Sequence, residues 1–405
     1  MKIAFIVFEF PRLSESFILN QIVGFLNMGH DVKIYAEYRS KEKKEHPDVA
    51  KYRLYERVIF SNPPQNKVKR ILKASYLMLT NFHKGPIKII KSLNVFRYGK
   101  LALSLRLFYR LITFLEEDFD IIHCHFGPNG ILGVYLKEMG IEGKIVTTFH
   151  GFDMSSLISD QGKSIYKDLF LKGDLFLPIS EFWERKLIGL NCDKNKIMVH
   201  RMGIKSEKFA YSERKIRSEE PIRMLTIGRL AEKKGYEYAI RAAAKVIKEN
   251  NNVMYMIGGD GPLRNELETM VSELGIANHV KFFGAIEQEE VLALYNQAHF
   301  FVLASVTAND GDQEGIPVVL MEAQSVGLPV VSTYHSGIPE GVINGKSGFL
   351  VPEKDVDALA EKIKYLIEHP ELWPDMGRQG RKLVEEKFNI NILNQQLSEI
   401  FHTLS

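Results

Sequence analysis

Two carboxylates, Glu314 and Glu322, stand eight positions apart and bracket Gly315, Ile316, Pro317 and Val318. Proline at a helix start with glycine just before it marks an N-terminus. The backbone amides there, at the positive end of the helix, form a ready anion site. Glu322 falls about a turn and a half into that helix, and Glu314 sits in the loop before it. One carboxylate can hold vicinal hydroxyls at one end of a ligand and the other at the far end, with phosphates between. Upstream, Gly228-Arg229-Leu230-Ala231-Glu232-Lys233-Lys234-Gly235 follows a strand and opens a helix. Arg229 and Lys234 are thereby placed to converge on the same phosphates. One at a time, these residues read as surface helix charges and a solvated strand-end pair, and His150 as a satisfied loop histidine. Their joint occurrence at the carboxyl ends of strands points instead to a phosphorylated, polyhydroxylated ligand.

Other chemistries fail on spacing. The turn after the first strand, Glu9-Phe10-Pro11-Arg12-Leu13-Ser14, holds no glycine, and Gly259-Asp260-Gly261-Pro262-Leu263-Arg264 has Arg where a dinucleotide fingerprint needs its third glycine. No Gly-x4-Gly-Lys-Ser/Thr loop occurs. His123 and His125 alternate along a strand and point the same way, with no obvious third and fourth metal ligand. Asp310-Gly311-Asp312 has the Asp-x-Asp form that binds metal in some transferases, but its neighbourhood points to the anion site just described.

The elements that must position these groups are legible as alternation. Lys2–Phe8, Asp31–Ala36, Ile121–His125, Lys144–Phe149 and Leu175–Ile179 read as strands, with a helix over Ser14–Met28. The second half repeats the theme. Met224–Ile227, Val253–Ile257, Val280–Phe283, Phe300–Leu303 and Pro329–Ser332 read as strands, with helices over Tyr236–Asn250 and Pro262–Leu274. Such alternation predicts α/β architecture, parallel sheets covered by helices on both faces. The polar stretch 205–221 reads as the linker between two doubly wound domains. The chain closes in amphipathic helical pattern over Ala358–His369 and Leu372–Leu404. The 405 residues are 45% hydrophobic, which suffices for large cores, and only two cysteines occur, which excludes a disulfide framework and a four-cysteine zinc site. No window is apolar enough for a transmembrane helix or a signal peptide, so a cytoplasmic location is expected.

With these motifs in place, the chain resembles the retaining GT-B glycosyltransferases. Glu314 and Glu322 match their Glu-x7-Glu pair, Arg229 and Lys234 their donor-phosphate pair, and Thr148-Phe149-His150-Gly151-Phe152-Asp153 their His-Gly-x-Asp segment. Phe10 to Phe17, His123–Gly127, Asp310–Glu314 and His335 to Glu340 look like the branch that builds colanic acid and related bacterial exopolysaccharides. The resemblance implies two Rossmann-like domains with a cleft between them. Residues 1–205 would bind the acceptor and 210–385 an NDP-sugar, with UDP favoured. The last helix, about 386–405, would pack back on the first domain. Arg229 and Lys234, with Gly315, Ile316, Pro317 and Val318, would hold the diphosphate. Glu322 would hold ribose hydroxyls, Glu314 the hydroxyls of the donor sugar, and His150 the transferred hexose near the reacting centre. Arg12, Ser14, Glu15, His125 and Asp153 are the acceptor-side candidates. No metal and no other cofactor is expected, and Asp310 and Asp312 would then order the loop or face the acceptor. The competing classes are another GT-B-type enzyme, an epimerase or phosphorylase, and a non-catalytic subunit of a polysaccharide assembly complex.

One block stands apart in charge. Arg57 to Leu115 holds 12 Lys or Arg and no Asp or Glu, among many Leu, Ile, Phe and Tyr. That composition fits a basic amphipathic surface on anionic lipid, and equally a solvated helical face. No nucleic-acid-binding motif accompanies it. Acceptors in capsule and exopolysaccharide pathways are lipid-linked, so the resemblance implies a peripheral protein on the inner face of the membrane, with Lys69, Arg70, Lys73, Lys88 and Lys91 as lipid-facing candidates.

Overall fold

The computed structural model describes residues 1–42, 45–217 and 220–405. Its short apolar runs become strands, the central ones buried on both faces, as in all-parallel sheets. Six of them, β1 (Lys2–Phe10), β2 (Asp31–Arg39), β3 (Val58–Phe60), β4 (Ile121–His125), β5 (Lys144–Phe149) and β6 (Leu175–Pro178), pair in the order β3-β2-β1-β4-β5-β6. Six more, β7 (Ile222–Ile227), β8 (Val253–Gly258), β9 (Val280–Gly284), β10 (Phe300–Leu303), β11 (Val330–Thr333) and β12 (Gly348–Val351), pair as β12-β11-β10-β7-β8-β9. Every named pairing is parallel. The strand order reverses between β1 and β4 in one sheet and between β7 and β10 in the other. Ligand crevices open at such points, beyond the carboxyl ends of the strands.

The short edge strands β3 and β12 escape the sequence reading. The first helix starts as a 3-10 turn over Leu13–Glu15 before the α-helix Ser16–Asn27. The stretch 205–217 is docked rather than free. Phe209 is buried in the second sheet's core, and Arg214 donates to the carbonyls of Asn296 and Val326 at 3.1 and 2.6 Å.

The terminal amphipathic pattern is two helices, Trp373–Lys387 and Ile390–Leu404, broken where residues 388–390 pair with the chain leaving the first sheet. Ile204 N–H donates to Phe388 at 2.9 Å, and Ile390 N–H donates back to Ile204 at 3.0 Å. After this double crossing the last helix lies on the first domain, where Leu397 and Phe401 join the core beside β1 and β2. The rings of Phe401 and Phe25 are 5.3 Å apart. Phe401 is fully buried. Phe401→Ala is therefore expected to cost about 3–5 kcal/mol of first-domain stability. Chemical denaturation followed by circular dichroism checks this as a lower unfolding midpoint.

Candidate active site

A cleft of about 920 Å³ lies between the carboxyl ends of the two sheets. Arg12, Ser14, Glu15, Phe17, Phe126 and His150 line its first-domain wall, and Arg229, Lys233, Lys234, residues 312–319 and Glu322 the wall opposite. One glycine lets the walls meet, and another lets the second-domain wall close on itself. A Cβ on Gly315 would sit 2.6 Å from the carbonyl oxygen of His150 and 2.4 Å from Ile179, so only glycine admits this approach. Gly235, at φ +65°, turns the chain after Lys234, and a Cβ there would strike the carbonyl of Ala304 at 1.7 Å.

The second-domain wall is a charge cluster. Glu314 Oε2 lies 3.2 Å from Lys234 Nζ, and its Oε1 3.9 Å from Lys233 Nζ. Lys233 also pairs with Asp312 at 2.9 Å. Burial of Glu314 works to raise its pKa, but the two lysines outweigh it and hold the carboxyl below its ordinary range. Oε1 of Glu314 makes no hydrogen bond. The residue is fixed by its backbone. Its N–H donates to His335 Nε2 at 3.0 Å, and Ser336 Oγ donates to its carbonyl at 2.7 Å. That leaves His335 Nδ1–H to donate to Glu353 at 2.6 Å. Arg229 reaches the cleft without an ion pair among the described residues.

Pro317 stands just before the helix Val318–Ser325, with no side chain capping it. The first amides, those of Val318 and Val319, are left to face the cleft. Glu322 lies on the same helix and accepts from Tyr295 Oη at 3.0 Å. Burial pushes its pKa up to about 7, only partly offset by that bond. Across the cleft, burial pushes the Glu15 carboxyl up to about 6, with Arg12 3.1 Å away opposing it.

His150 is held by ring contacts with Phe17 and Phe126 at 4.8 and 4.5 Å. Its Nε2 is 3.1 Å from His125 Nδ1, which leaves its Nδ1 for a ligand. Burial depresses its pKa to about 3, so the ring is neutral at neutral pH and acts through hydrogen bonding, not as a cation.

Two acceptor-side expectations need correction. His125 and Asp153 are fully buried and do not line the cleft. Asp153 accepts from the amides of Gly127, His150 and Gly151 at 2.9 to 3.0 Å, which pins the two loops, and His125 buttresses His150 from behind. Both are positioning residues, because loops from adjacent parallel strands need an internal acceptor for their turned-in amides. Asp310 orders its loop by accepting the Asp312 amide at 2.9 Å, whereas Asp312 faces Lys233. Lys233, Tyr295 and His335 had no role assigned from the sequence. Lys233 had a signal, its place beside Lys234, and His335 stood at the head of the 335–340 motif; Tyr295, on a distant helix, had none. His123 donates to or accepts from Thr148 at 2.8 Å, and no group of three His, Cys, Asp or Glu fit for a metal occurs among the described residues.

Residues 14–208 match the family described as "Glycosyltransferase Family 4", and residues 207–383 that described as "Glycosyl transferases group 1". The whole chain is 38% identical to the whole of a putative colanic acid biosynthesis glycosyltransferase, WcaL, of Escherichia coli. It is 37% identical, again over the full length of both, to the amylovoran biosynthesis glycosyltransferase AmsK of Erwinia amylovora. Among solved structures, Alr3699/HepE of Anabaena in complex with UDP matches over the full length of both chains with a TM-score of 0.72 at 18% identity, which shows the shared GT-B fold.

The buried carboxyls are directly measurable. In a ¹³C titration of glutamate-labelled protein, one side chain is expected to titrate near 7 and to vanish in Glu322→Gln, and another near 6 and to vanish in Glu15→Gln. Ordinary values near 4.3 for both would refute the dry, carboxyl-lined cleft.

Proposed function

The chain belongs to the group 1 glycosyltransferases, and from that premise we propose that it moves a hexose from a UDP-sugar to a lipid-linked glycan, with retention at the anomeric carbon, in the assembly of a bacterial exopolysaccharide. The observation that carries this reading is the convergence, on one wall of one cleft, of Arg229, Lys233 and Lys234, the open amides of Val318 and Val319, and the carboxyls of Glu314 and Glu322.

The donor's diphosphate sits against the three cations and the helix amides. It displaces Glu314 from Lys234, and the freed carboxylate accepts sugar hydroxyls. Glu322 accepts ribose hydroxyls, which favour its ionised form. As the sugar–phosphate bond breaks, charge grows on the leaving diphosphate where the cations already stand, the electrostatic contribution that dominates such transfers. His150 donates to or accepts from the transferred sugar through Nδ1. The acceptor enters past Arg12, Ser14 and Glu15, and the leaving diphosphate takes its proton on the same face. With three cations and two amides facing the phosphates, no metal is required.

Lys234→Ala is expected to lower transfer from a UDP-sugar roughly a hundredfold with the fold intact, the loss of about 3 kcal/mol of transition-state stabilisation. Turnover in the wild type should persist after chelation. Near-normal turnover of the variant, or activity restored only by added manganese or magnesium, would overturn the lysine-based mechanism. A donor panel separates transferase from epimerase, phosphorylase and non-catalytic subunit.

We further place the protein on the anionic inner leaflet of the cell membrane. No helix of the described residues is long and apolar enough to span a bilayer. Yet, among the described residues, 11 of the 23 large apolar side chains left exposed lie within residues 68–103. On the helix Lys67–Asn81, Val68, Leu72, Tyr76 and Leu79 form one stripe, 65 to 81% exposed. Ile87, Ile90, Phe96 and Leu103 extend it. The basic share is smaller than the sequence suggested. Acids from elsewhere pair with Lys84, Arg97, Arg106 and Arg110. Arg70 donates to the carbonyls of Pro64 and Ser104 at 2.6 and 3.2 Å, and Lys73 and Lys91 reach those of Asn62 and Glu138 at 3.3 and 3.4 Å, while Lys88 is half-buried. Lys67 and Lys69 remain exposed beside the stripe. Each contributes about 1 kcal/mol at an anionic surface, and each inserted Leu or Ile on the order of 1–2 kcal/mol. Co-sedimentation should therefore show binding to phosphatidylglycerol vesicles that Leu72→Ser with Leu79→Ser abolishes and that Lys67→Glu with Lys69→Glu weakens at least tenfold. Full binding by both double variants would leave this face an ordinary surface.

A further inference from the structure

Beside the cleft, separated from it by Phe8, a second pocket of about 470 Å³ opens beyond the ends of β1 and β2. Phe8 lines both. Its wall carries three cations, Arg70, Lys100 and Arg106, with Tyr38 between them. One carboxylate, Glu37, stands near, and its charge is already matched twice. Arg106 pairs with it at 2.5 Å, and the buried Arg110 at 3.4 Å from below. Arg70 is locked by the carbonyls of Pro64, Gln65 and Ser104, so it holds its place without a carboxylate. The Lys100 side chain is exposed, and its ammonium has no hydrogen-bond or ion-pair partner among the described residues.

Positive charge is thus gathered, fixed and left in surplus in a concave site with no anion of the protein's own to fill it. The backbone is bent to do so. Gly99, at φ +51°, breaks the helix Val95–Leu103 immediately before Lys100, and Leu105, at φ +59°, turns the chain immediately before Arg106. A non-glycine residue in that conformation is strained, and strain of this kind persists where a site requires it. The pocket also lies between two surfaces already described. The cleft is on one side of Phe8, and the exposed apolar side chains of Phe96 and Leu103 belong to the helix that carries Lys100.

We propose that this pocket is an anion site that takes the diphosphate ester of the lipid-linked acceptor, with the lipid leaving over Leu103 and Phe96 and the glycan passing Phe8 into the cleft. The assignment rests on the acceptor reading above. The N–H groups that Arg70 and Arg106 keep beyond those bonds can donate to phosphate oxygens, and Lys100 adds a mobile point charge that closes on it. The Phe8 and Tyr38 rings wall off the site from the donor's own phosphates, so the two diphosphates are held apart.

The test is calorimetric titration of the full-length protein saturated with UDP, which fills the donor site. Farnesyl diphosphate, kept below its micelle concentration, is the probe, with farnesol and inorganic pyrophosphate as controls. Farnesyl diphosphate is expected to bind, farnesol to bind at least tenfold more weakly, and Lys100→Glu to weaken the diphosphate at least tenfold while Lys100→Arg retains it. UDP affinity should be the same in both variants, which reports an intact fold and donor site. Pyrophosphate binding as tightly as farnesyl diphosphate would overturn the lipid assignment in favour of free phosphate. Equal binding of farnesol, no binding of any probe, or no effect of Lys100→Glu together with Arg106→Gln would overturn the anion site itself. Loss of UDP binding by the wild type would instead strike the donor reading, and the two failures are thereby told apart.

Discussion

Glu314 sits in a cleft that three cations, Arg229, Lys233 and Lys234, also line, and the rest of the cleft is arranged around that charge balance. Without an anion, Arg229, Lys233 and Lys234 would repel one another in a partly dry space. Glu314 and Asp312 hold two of them meanwhile. A buried carboxylate left without its partner costs about 3–5 kcal/mol, which ties the position of each lysine to the position of each acid. The groups behind Glu314 answer the same need. His335, Ser336 and Glu353 fix the backbone of Glu314, so its side chain can exchange one partner for another without moving the loop.

That loop must also reach the other domain. The contact of Gly315 with the His150 carbonyl and of Gly151 with the 313–315 backbone is possible only without side chains. Through it the neutral, buried His150 is set opposite Glu314. The double crossing of residues 202–204 and 388–390, with the last helix returned to the first domain, ties the two sheets at the far end of the cleft. The domains are therefore joined by two short connections and by tight backbone contact at the site, the arrangement that lets a cleft stay both narrow and dry.

The basic block shows how a pattern along the chain changes meaning in space. It is free of acids only along the sequence. Glu37, Glu116, Glu138 and Asp168 reach it from elsewhere and neutralise a third of its cations. What remains outward is mostly apolar. What remains inward is a pocket whose surplus charge neither the block nor any one helix would reveal.

The sequence by itself determined the α/β architecture, the helix start at Pro317, and the grouping of Glu314, Glu322, Arg229 and Lys234 at the carboxyl ends of strands. Each of these is written in local spacing: strand-length apolar runs, proline and glycine at a helix start, charges at strand ends. Only the tertiary structure decided which of those residues touch. Asp153 and His125 carry the same chemistry as true contact residues, but their loops fold inward, and they became supports for His150. Lys233, Tyr295 and His335 entered the site because the loop after β7, a helix of the second domain and the end of β11 converge there. Arg70 turned from a lipid-facing cation into a strut because nearby carbonyls lacked donors. Contacts of this kind depend on which elements cross, and burial and charge balance are properties of the packed whole, so no window of the chain records them.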